Sequence, residues 1–353
     1  MTIRVVDTLT HALSGALLAR ATASRDAPPK FLWRRMAAGF LACASPDLDI
    51  VIALFGPIAY LENHRGVTHS LVLLPLWALL YSWILAAILR EPRGWRALYG
   101  ITAMGLALHV AGDVITSYGT VILAPFSDWR AEIGTTFIID LWFTGIIVAG
   151  LVASGLVRRA RWPAAAALVV LAGYVGFQYA QKQEATEFGG RYAREHGLRG
   201  ASVNAQPRPV SPFNWTVFVS DAEVHRFADV NLVRETPPGY REGDGYIAML
   251  DSVYQPLASA RWETRARYGE GAEGALAREA WNSPAMAVYR WFADLPAYDG
   301  TSERSACVWF VDLRFTLEGR PTRPFRYGAC RDAPGSPWVL VPPGWRLASP
   351  DSR

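Results

Sequence analysis

The chain has 353 residues, of which 51% are hydrophobic and only 19% are charged. Soluble globular proteins usually contain about 25% charged residues, so one part of this chain must be unusually apolar. The formal net charge is +4, but the arginines cluster beside apolar runs and form no basic stripe interleaved with aromatic residues. The composition therefore argues against nucleic-acid binding.

Six apolar segments fill the first half of the chain. They cover residues 5–19, 36–56, 67–89, 98–117, 136–157 and 163–180. Crossing the hydrocarbon layer takes about 20 helical residues. Segments two to five reach that length, the sixth is close to it and the first is short. The scarcity of positive charge before the first segment disfavours a cleaved signal peptide. We predict a membrane all-α helical bundle of about six segments over residues 1–182.

The basic residues predict the orientation of this bundle. Three alternate loops share eleven of them: Arg20, Arg25, Lys30, Arg34, Arg35, Arg90, Arg93, Arg96, Arg158, Arg159 and Arg161. The short segments on the opposite side contain only Arg4, Arg65 and Arg130. Because cytoplasmic loops are enriched in lysine and arginine, we expect a multi-pass protein of the bacterial inner membrane. Everything after residue 181 is then predicted to be periplasmic.

The composition changes after the last apolar segment. We predict a linker over residues 183–204, which includes a polar helix at 185–199, and a small α+β extramembrane domain over 205–353. Strand-like runs and one helix are predicted there, at Phe213–Val219, Tyr246–Tyr254, Val308–Phe315 and Trp338–Val341 for the strands and Ser283–Asp294 for the helix. Cys307 and Cys330 can pair in an oxidising compartment or remain free thiols.

Ionisable residues recur inside the apolar segments, where they are costly and usually functional. Asp7 and His11 are four residues apart, as are His109 and Asp113, so each pair shares one face of a helix. In the second segment, Pro46 precedes Asp47 and Asp49 and is expected to interrupt the helix. The loop before the third apolar segment reads His64-Arg65-Gly66-Val67-Thr68-His69-Ser70. The predicted orientation places all of these residues at one membrane depth, on the periplasmic side.

Imidazole and carboxylate groups together suit a divalent transition metal, which we expect to be zinc, with manganese or iron as alternatives. The predicted ligands are His11, Asp47, Asp49, His64, His69, His109 and Asp113. Their number is sufficient for one or two ions, and two ions would share a bridging carboxylate. Asp49, Asp113 and Arg65 are the candidate catalytic residues. One aspartate would act as a general base, and Arg65 would bind a substrate anion.

Each of these residues also has an ordinary structural interpretation. Asp7 can cap a helix, Asp140 can be a buried partner of Arg130, and a pair such as His109 and Asp113 can be a hydrogen bond within one helix. His196 and His225 lie in the outer region and show no pattern. The grouping of several histidines and carboxylates at one depth favours the metal site.

Four motifs resemble one known family. They are Asp7-x-x-Thr10-His11, Pro46-Asp47-Leu48-Asp49, the stretch from His64 to Ser70, and His109-x-x-x-Asp113. Together they resemble the YdjM-type membrane-bound metal-dependent hydrolase family over residues 7–145. The resemblance implies an integral membrane metallohydrolase that uses the seven predicted ligands, whereas Asp7 and Asp140 match less firmly. A looser likeness to zinc-dependent phospholipase C covers only the Thr-His and Pro-Asp pieces.

The predicted function is hydrolysis by metal-activated water of a phosphoester or lipid-linked ester at the outer leaflet, with membrane lipids as partners. Neither the HExxH motif of zinc proteases nor a GxSxG nucleophile elbow is present. Two alternatives use the same residues. A metal or ion transporter would need polar residues that continue through the inner half of the membrane, and a non-catalytic scaffold would use a structural metal to hold its helices together.

Overall fold

The computed structural model describes residues 2–157, 160–241, 243–302, 307–317 and 323–343. Arg158 and Arg159, which contribute to the predicted orientation, and residues 344–353 of the predicted outer domain lie outside the described residues. The chain divides into two compact units. The first comprises Met1–Ile52, Asn63–Lys182 and Pro207–Pro212, and the second comprises Ala53–Glu62, Gln183–Gln206 and Phe213–Arg353.

The N-terminal half is helical, and each of the six predicted apolar segments contains an α-helix or part of one. The helices are α1 (Thr2–Ala21), α2 (Pro29–Ala44), α3 (Pro57–Asn63), α4 (Leu74–Ile88), α5 (Arg96–Val114), α6 (Leu141–Leu156) and α7 (Trp162–Glu195), with 3₁₀ helices at Pro46–Phe55 and Val67–His69. The predicted helical N-terminal region is therefore confirmed. The polar helix predicted at 185–199 is the continuation of α7.

Length and hydropathy identify three helical stretches in the described chain that can cross a membrane: Pro29–Phe55, Arg96–Val114 and Trp162–Glu195. A fourth is added if Pro57–His69 and Leu74–Ile88, which are bent by 84° relative to each other, form one span. Helix α6 is apolar but shorter. The predicted count of about six segments is thus not confirmed by this criterion.

A proline ends α2 at the place predicted. The helix stops at Ala44, Ser45 forms its C-cap, and the chain continues from Pro46 as a 3₁₀ helix. Proline has no N–H to donate, and its ring clashes with the preceding turn of an α-helix. The break redirects the backbone just before Asp47 and Asp49.

Glycines allow α1 and α2 to pack closely. A Cβ atom added to Gly15 would lie 2.1 Å from the carbonyl oxygen of Gly39, and one added to Gly39 would lie 2.5 Å from the carbonyl oxygen of Gly15. Small residues at a crossing permit such backbone contact within a membrane. Alanines and leucines continue the packing, with Ala38 and Ala42 of α2 against Leu98 and Ile101 of α5.

The second unit contains two sheets. The first has the strands β1 (Ser202–Pro207), β2 (Asn214–Ser220), β3 (Val224–Asn231), β4 (Gln255–Pro256) and β5 (Glu263–Ala266). Strand β3 pairs with β2, β4 and β5, and its pairing with β4 is parallel. The second has β6 (Pro296–Ser302), β7 (Cys307–Asp312), β8 (Tyr327–Cys330) and β9 (Val339–Val341) in sequential antiparallel order. Three short helices accompany them: α8 (Tyr246–Ser252), α9 (Gly271–Asn282) and α10 (Ala287–Phe292). The predicted small sheet-containing domain is confirmed.

Two local predictions about this unit have different outcomes. The strand predicted at Tyr246–Tyr254 is wrong, because Tyr246–Ser252 is helix α8. Its apolar residues 246, 249, 250 and 253 follow helical spacing rather than strand alternation. The question left open about the cysteines is answered: Cys307 and Cys330 lie opposite each other on β7 and β8 and form a disulfide.

Candidate metal centre

Four side chains from three elements of the first unit bring their donor atoms together: Asp47 and His69 from the two 3₁₀ helices, and His109 and Asp113 from α5. The His69 and His109 Nε2 atoms are 3.0 Å apart. Asp113 Oδ2 lies 3.1 Å from the first and 3.3 Å from the second. Asp47 Oδ1 lies 3.9 Å from His69 Nε2 and 3.6 Å from His109 Nε2. We call these four residues the primary donor group.

These separations fit a tetrahedral metal ion. Bonds of about 2.0–2.1 Å in tetrahedral geometry place neighbouring donor atoms about 3.3 Å apart. The three contacts among His69, His109 and Asp113 are at 3.0–3.3 Å, close to that spacing. Asp47 is the more distant member and the only one whose side chain keeps some exposure, 14%. The primary group therefore consists of three tightly grouped donors and a looser fourth.

Burial makes the carboxylate of Asp113 the most informative feature of the group. The side chain is completely buried, and within the described part of the protein neither carboxylate oxygen makes a well-aligned hydrogen bond. Oδ1 is paired with the Arg65 guanidinium at 2.9 Å, whereas Oδ2 lies beside the two imidazole nitrogens. Buried polar atoms without hydrogen bonds are rare in native proteins and call for an explanation. A cation coordinated by Oδ2 would provide one.

The histidine rings are held in position through their other nitrogens. His109 Nδ1 lies 2.6 Å from the carbonyl oxygen of Cys43, so it donates there and leaves Nε2 without a proton. His69 Nδ1 lies 2.9 Å from Thr68 Oγ1. Histidines that bind metal typically make such a bond with the nitrogen that faces away from the ion. Both rings are thus oriented as metal ligands are.

A neighbouring set of donors shares Asp113. His11 Nε2 lies 3.5 Å from Asp7 Oδ1 and 3.3 Å from Asp113 Oδ1. The two oxygens of Asp113 therefore face different donor sets, as in a bridging carboxylate. Cys43 also forms a close group with His11 and His109. The residues can accommodate a second ion in geometric terms.

Arg65 lies within this cluster instead of at its edge. Its side chain is 2% exposed, and Nη2 lies 2.9 Å from Asp113 Oδ1 and 3.5 Å from Asp7 Oδ2. Nη1 donates to Thr116 Oγ1 at 2.9 Å, and the guanidinium lies over the ring of Tyr118. A buried cation at this place balances the charge of the two carboxylates and opposes a second metal ion beside them.

Asp49 and His64 form a pair beside the primary group. Asp49 Oδ1 lies 2.8 Å from His64 Nδ1, and its Oδ2 accepts hydrogen bonds from the Arg65 amide at 3.0 Å and from Thr68 Oγ1 at 3.3 Å. Asp49 Oδ2 is also 3.7 Å from His69 Nδ1. This carboxylate therefore organises the loop that supplies His69.

The structure thus sorts the predicted ligands by position. It brings five of them into close donor groups: His11, Asp47, His69, His109 and Asp113. Among the described residues, Asp49 and His64 belong to no such group.

Several supporting residues were missed by sequence reasoning. Thr8 Oγ1 donates to Asp47 Oδ2 at 2.7 Å. Gly112 leaves the space for His11, because an added Cβ atom would lie 2.7 Å from the His11 ring. Thr116, three residues after Asp113, holds Arg65. Only Thr116 had a usable signal, namely its helical spacing from Asp113.

Asp140, the less firmly matching residue, has a structural role. It is the N-cap of α6 and accepts hydrogen bonds from the amides of Trp142 and Phe143. Tyr174 and Gln178 of α7 donate to its other oxygen at 2.9 Å and 2.8 Å. Asp140 therefore joins α6 to α7 and caps a helix start.

Comparisons with known proteins find sequence similarity in the region that contains these residues. A family model described as YdjM inner membrane protein matches residues 6–185, which include all the donors above. The uncharacterized protein YfhP of Bacillus subtilis is 30% identical over 133 residues, which are 36% of this chain and 40% of that protein. Inner membrane protein YdjM of Escherichia coli is 34% identical over 110 residues, which are 28% of this chain and 52% of that protein. The matches thus span about half or less of these relatives. No solved structure matches.

Proposed function

Because this chain belongs to the YdjM family of inner membrane proteins, we propose that it is a metal-dependent hydrolase of the bacterial inner membrane. Its substrate would be a phosphoester or a lipid-linked ester at the outer leaflet. The observation that carries the proposal is the buried Asp113 Oδ2, which makes no well-aligned hydrogen bond among the described residues and lies 3.1 Å and 3.3 Å from two imidazole nitrogens.

Zinc is the metal that these donors fit best. Two imidazoles and two carboxylates at nearly tetrahedral spacing match its usual ligands, whereas manganese commonly takes more oxygen ligands in octahedral geometry. Arg65 already compensates Asp7 and Asp113, so we propose one ion, held in the primary donor group. When bound, zinc would make a coordinated water more acidic and polarise a phosphoryl or carbonyl oxygen.

The side chains around the ion would divide the remaining tasks. His69, His109 and Asp113 would hold it, because they are the tightest donors. Asp47, more distant and partly exposed, marks the side on which water and substrate would approach. Catalytic zinc sites commonly use three protein ligands and keep the fourth position for water. Thr8 would keep the Asp47 carboxylate directed toward that position.

The predicted roles of Asp49 and Arg65 are refined by their contacts. The bonds from Asp49 to His64, Thr68 and the Arg65 amide support a positioning role for this carboxylate. The burial of Arg65 against Asp113 supports charge compensation more strongly than direct capture of a substrate anion. His64 is the more exposed side chain of this pair.

One observation favours a different function. His69, His109 and Asp113 are all completely buried, and structural zinc sites are typically closed. A membrane scaffold whose metal holds α5 to the His64–Ser70 loop would have this property. The two functions differ at Asp47. A hydrolase needs the Asp47 side of the ion open to water and substrate, whereas a scaffold does not.

A substrate screen with one substitution distinguishes them. We expect the purified protein in lipid vesicles to hydrolyse phosphodiester or phospholipid substrates. Asp47→Asn should retain the metal and lose activity on the order of 100-fold, which is within the range for perturbed metal sites. Asp26→Asn, in the exposed loop between α1 and α2, is the matched control and should keep both properties. A parent protein that holds stoichiometric metal but hydrolyses none of these substrates would contradict the hydrolase and favour the scaffold.

We also propose that the second unit is periplasmic and that the chain crosses the membrane several times. The asymmetry of basic residues between the loops supports this orientation. The disulfide between Cys307 and Cys330 supports it independently, because disulfides persist in oxidising compartments such as the bacterial periplasm.

A further inference from the structure

A hairpin-like loop in the first unit is not explained by the metal site. Residues 118–131 turn back on themselves, and Thr120 and Ala131 exchange two backbone hydrogen bonds of 3.0 Å and 2.8 Å. The loop lies in the chain between the end of α5 and the start of α6. We call residues 118–131 the periplasmic hairpin, after its predicted side, and residues 123–129 its tip.

The base of this hairpin is hydrogen-bonded to the His64–Ser70 loop and the residue after it. The amide of Val121 donates to the carbonyl oxygen of Arg65 at 2.9 Å, and the amide of Leu71 donates to that of Ile122 at 2.9 Å. Ser70 Oγ donates to the carbonyl oxygen of Ala124. These bonds fix the hairpin directly against the segment that supplies His69.

The tip presents apolar side chains that the described part of the chain leaves exposed, next to the exposed carboxylate of Asp128. Phe126 is 82% exposed, Trp129 57% and Leu123 40%. The neighbouring cation is directed away from them, because the Arg130 guanidinium donates to the carbonyl oxygen of Tyr118 at the base. Exposed apolar groups clustered on a short loop indicate a surface that meets an apolar partner.

We propose that the tip of the periplasmic hairpin inserts into the bilayer interface at the end of α5. Three features identify the bilayer as the partner. Helix α5 is a candidate span, the apolar helix α6 follows the hairpin, and tryptophan and phenylalanine are the side chains that anchor proteins at such interfaces.

This placement has a consequence for the substrate of the proposed hydrolase, and in that respect it rests on the proposed function. An inserted tip holds the His64–Ser70 loop next to the lipid surface. A substrate that carries an acyl or prenyl chain would reach the metal centre by lateral diffusion, whereas a freely soluble ester would gain nothing from the hairpin. The substrate class is therefore a phosphoester that is anchored in the membrane by a lipid chain.

A spin-label measurement of depth tests the insertion. Phe126→Cys can be labelled selectively with a nitroxide, because Cys43 is buried and the other two cysteines form a disulfide. Glu263→Cys, at an exposed site in the second unit, provides the aqueous reference. Leu76→Cys, exposed on the apolar helix α4, provides the lipid reference. Each labelled protein is reconstituted in phosphatidylethanolamine–phosphatidylglycerol vesicles and exposed to oxygen or to a water-soluble nickel chelate.

We expect the label at 126 to collide with oxygen several-fold more, relative to the nickel chelate, than the label at 263 does. Its ratio should approach that of the label at 76. A ratio equal to that at 263 would place the tip in water and overturn the insertion. Low collision with both reagents would show that protein covers the tip, which also overturns it. Metal content and hydrolysis are measured in parallel on the parent protein in the same vesicles. Absence of hydrolysis by the parent would count against the proposed function and leave the depth result unaffected.

Discussion

At the scale of single residues, the candidate metal centre is built from side chains whose partners are distant in sequence. Asp113 meets His69 and Arg65, which are more than 40 positions away along the chain, and Asp47 meets Thr8 across 39 positions. The sequence predicted which residue types gather, because helical spacing and membrane depth can be read from the chain. It could not predict that Asp49 and His64 would pair with each other, because that pairing depends on how the loop after α3 folds.

A histidine in the second unit offers a residue-level prediction about pH. His225 is buried, Nε2 donates to the carbonyl oxygen of Pro296 and Nδ1 accepts from Ser220 Oγ, both at 2.8 Å. Burial lowers the pKa of His225 below its ordinary value of 6.5. The unfolded chain therefore binds a proton more readily than the folded one. The stability contributed by neutral His225 is present above pH 6.5 and is lost as the pH falls through the folded pKa.

Melting temperatures of the full-length protein in detergent test this prediction. Between pH 7.5 and 5, the parent should lose more stability than a His225→Gln variant, which removes the titrating group. His196→Gln, at an exposed position, serves as the control and should behave like the parent. Identical pH profiles for the parent and His225→Gln would show that protonation of His225 does not limit stability.

At the scale of elements, the close approach of α1 and α2 brings His11 and the Pro46–Asp49 turn to the same place. We expect Gly39→Ala to be destabilising, because its added Cβ atom would lie 2.5 Å from the carbonyl oxygen of Gly15. Overpacking of this kind typically costs about 1–3 kcal/mol. The thermal stability of the variant in detergent should fall accordingly.

The matched control for that substitution is Gly145→Ala on α6, where an added Cβ atom meets no other atom within 4 Å. It should leave the melting temperature unchanged or raise it slightly, because alanine favours a helix over glycine. Equal melting temperatures for Gly39→Ala and the parent would show that the two helices can separate at no cost.

Some helices and strands could be predicted from the sequence and others could not. Long apolar runs identified the helices, and Pro46 marked the end of α2, because a missing amide hydrogen acts locally. Tyr246–Tyr254 was predicted as a strand because it is short and aromatic, yet its apolar positions follow helical spacing. A polar helix was predicted at 185–199, but not that it would continue the last apolar helix without a break as α7, which ends at Glu195. Its polar half packs on the sheet of the second unit, where Ala185 and Phe188 join Trp215 and Val217, and this contact is not encoded in hydropathy.

At the scale of the whole molecule, the two units are built from stretches of chain that alternate along the sequence. Ala53–Glu62 belongs to the second unit, although it lies in the sequence between Asp49 and His64. Within that unit, Tyr327 donates a hydrogen bond to the carbonyl oxygen of Pro57. The chain that connects two pieces of the metal motif is therefore part of the sheet-containing unit. Sequence periodicity gave no indication of this long-range association.

The orientation of the molecule leads to a prediction of its own. A reporter enzyme that is active only in the periplasm, fused after residue 182, should be active in cells, because the basic loops are predicted to be cytoplasmic. The same reporter fused after residue 93, in a predicted cytoplasmic loop, is the control and should be inactive. Activity of the second fusion with an inactive first would reverse the proposed orientation.

The proposed function depends on an ion bound by His69, His109 and Asp113. The most direct test is elemental analysis of the detergent-purified protein together with His69→Ala, Asp113→Ala and Asp140→Asn, the last of which changes a half-buried, hydrogen-bonded carboxylate outside the centre. We expect about one zinc ion per chain in the parent and in Asp140→Asn, and loss of that ion in the other two variants. Unchanged metal content in folded His69→Ala and Asp113→Ala proteins, or a folded parent that binds no divalent metal, would contradict the central claim.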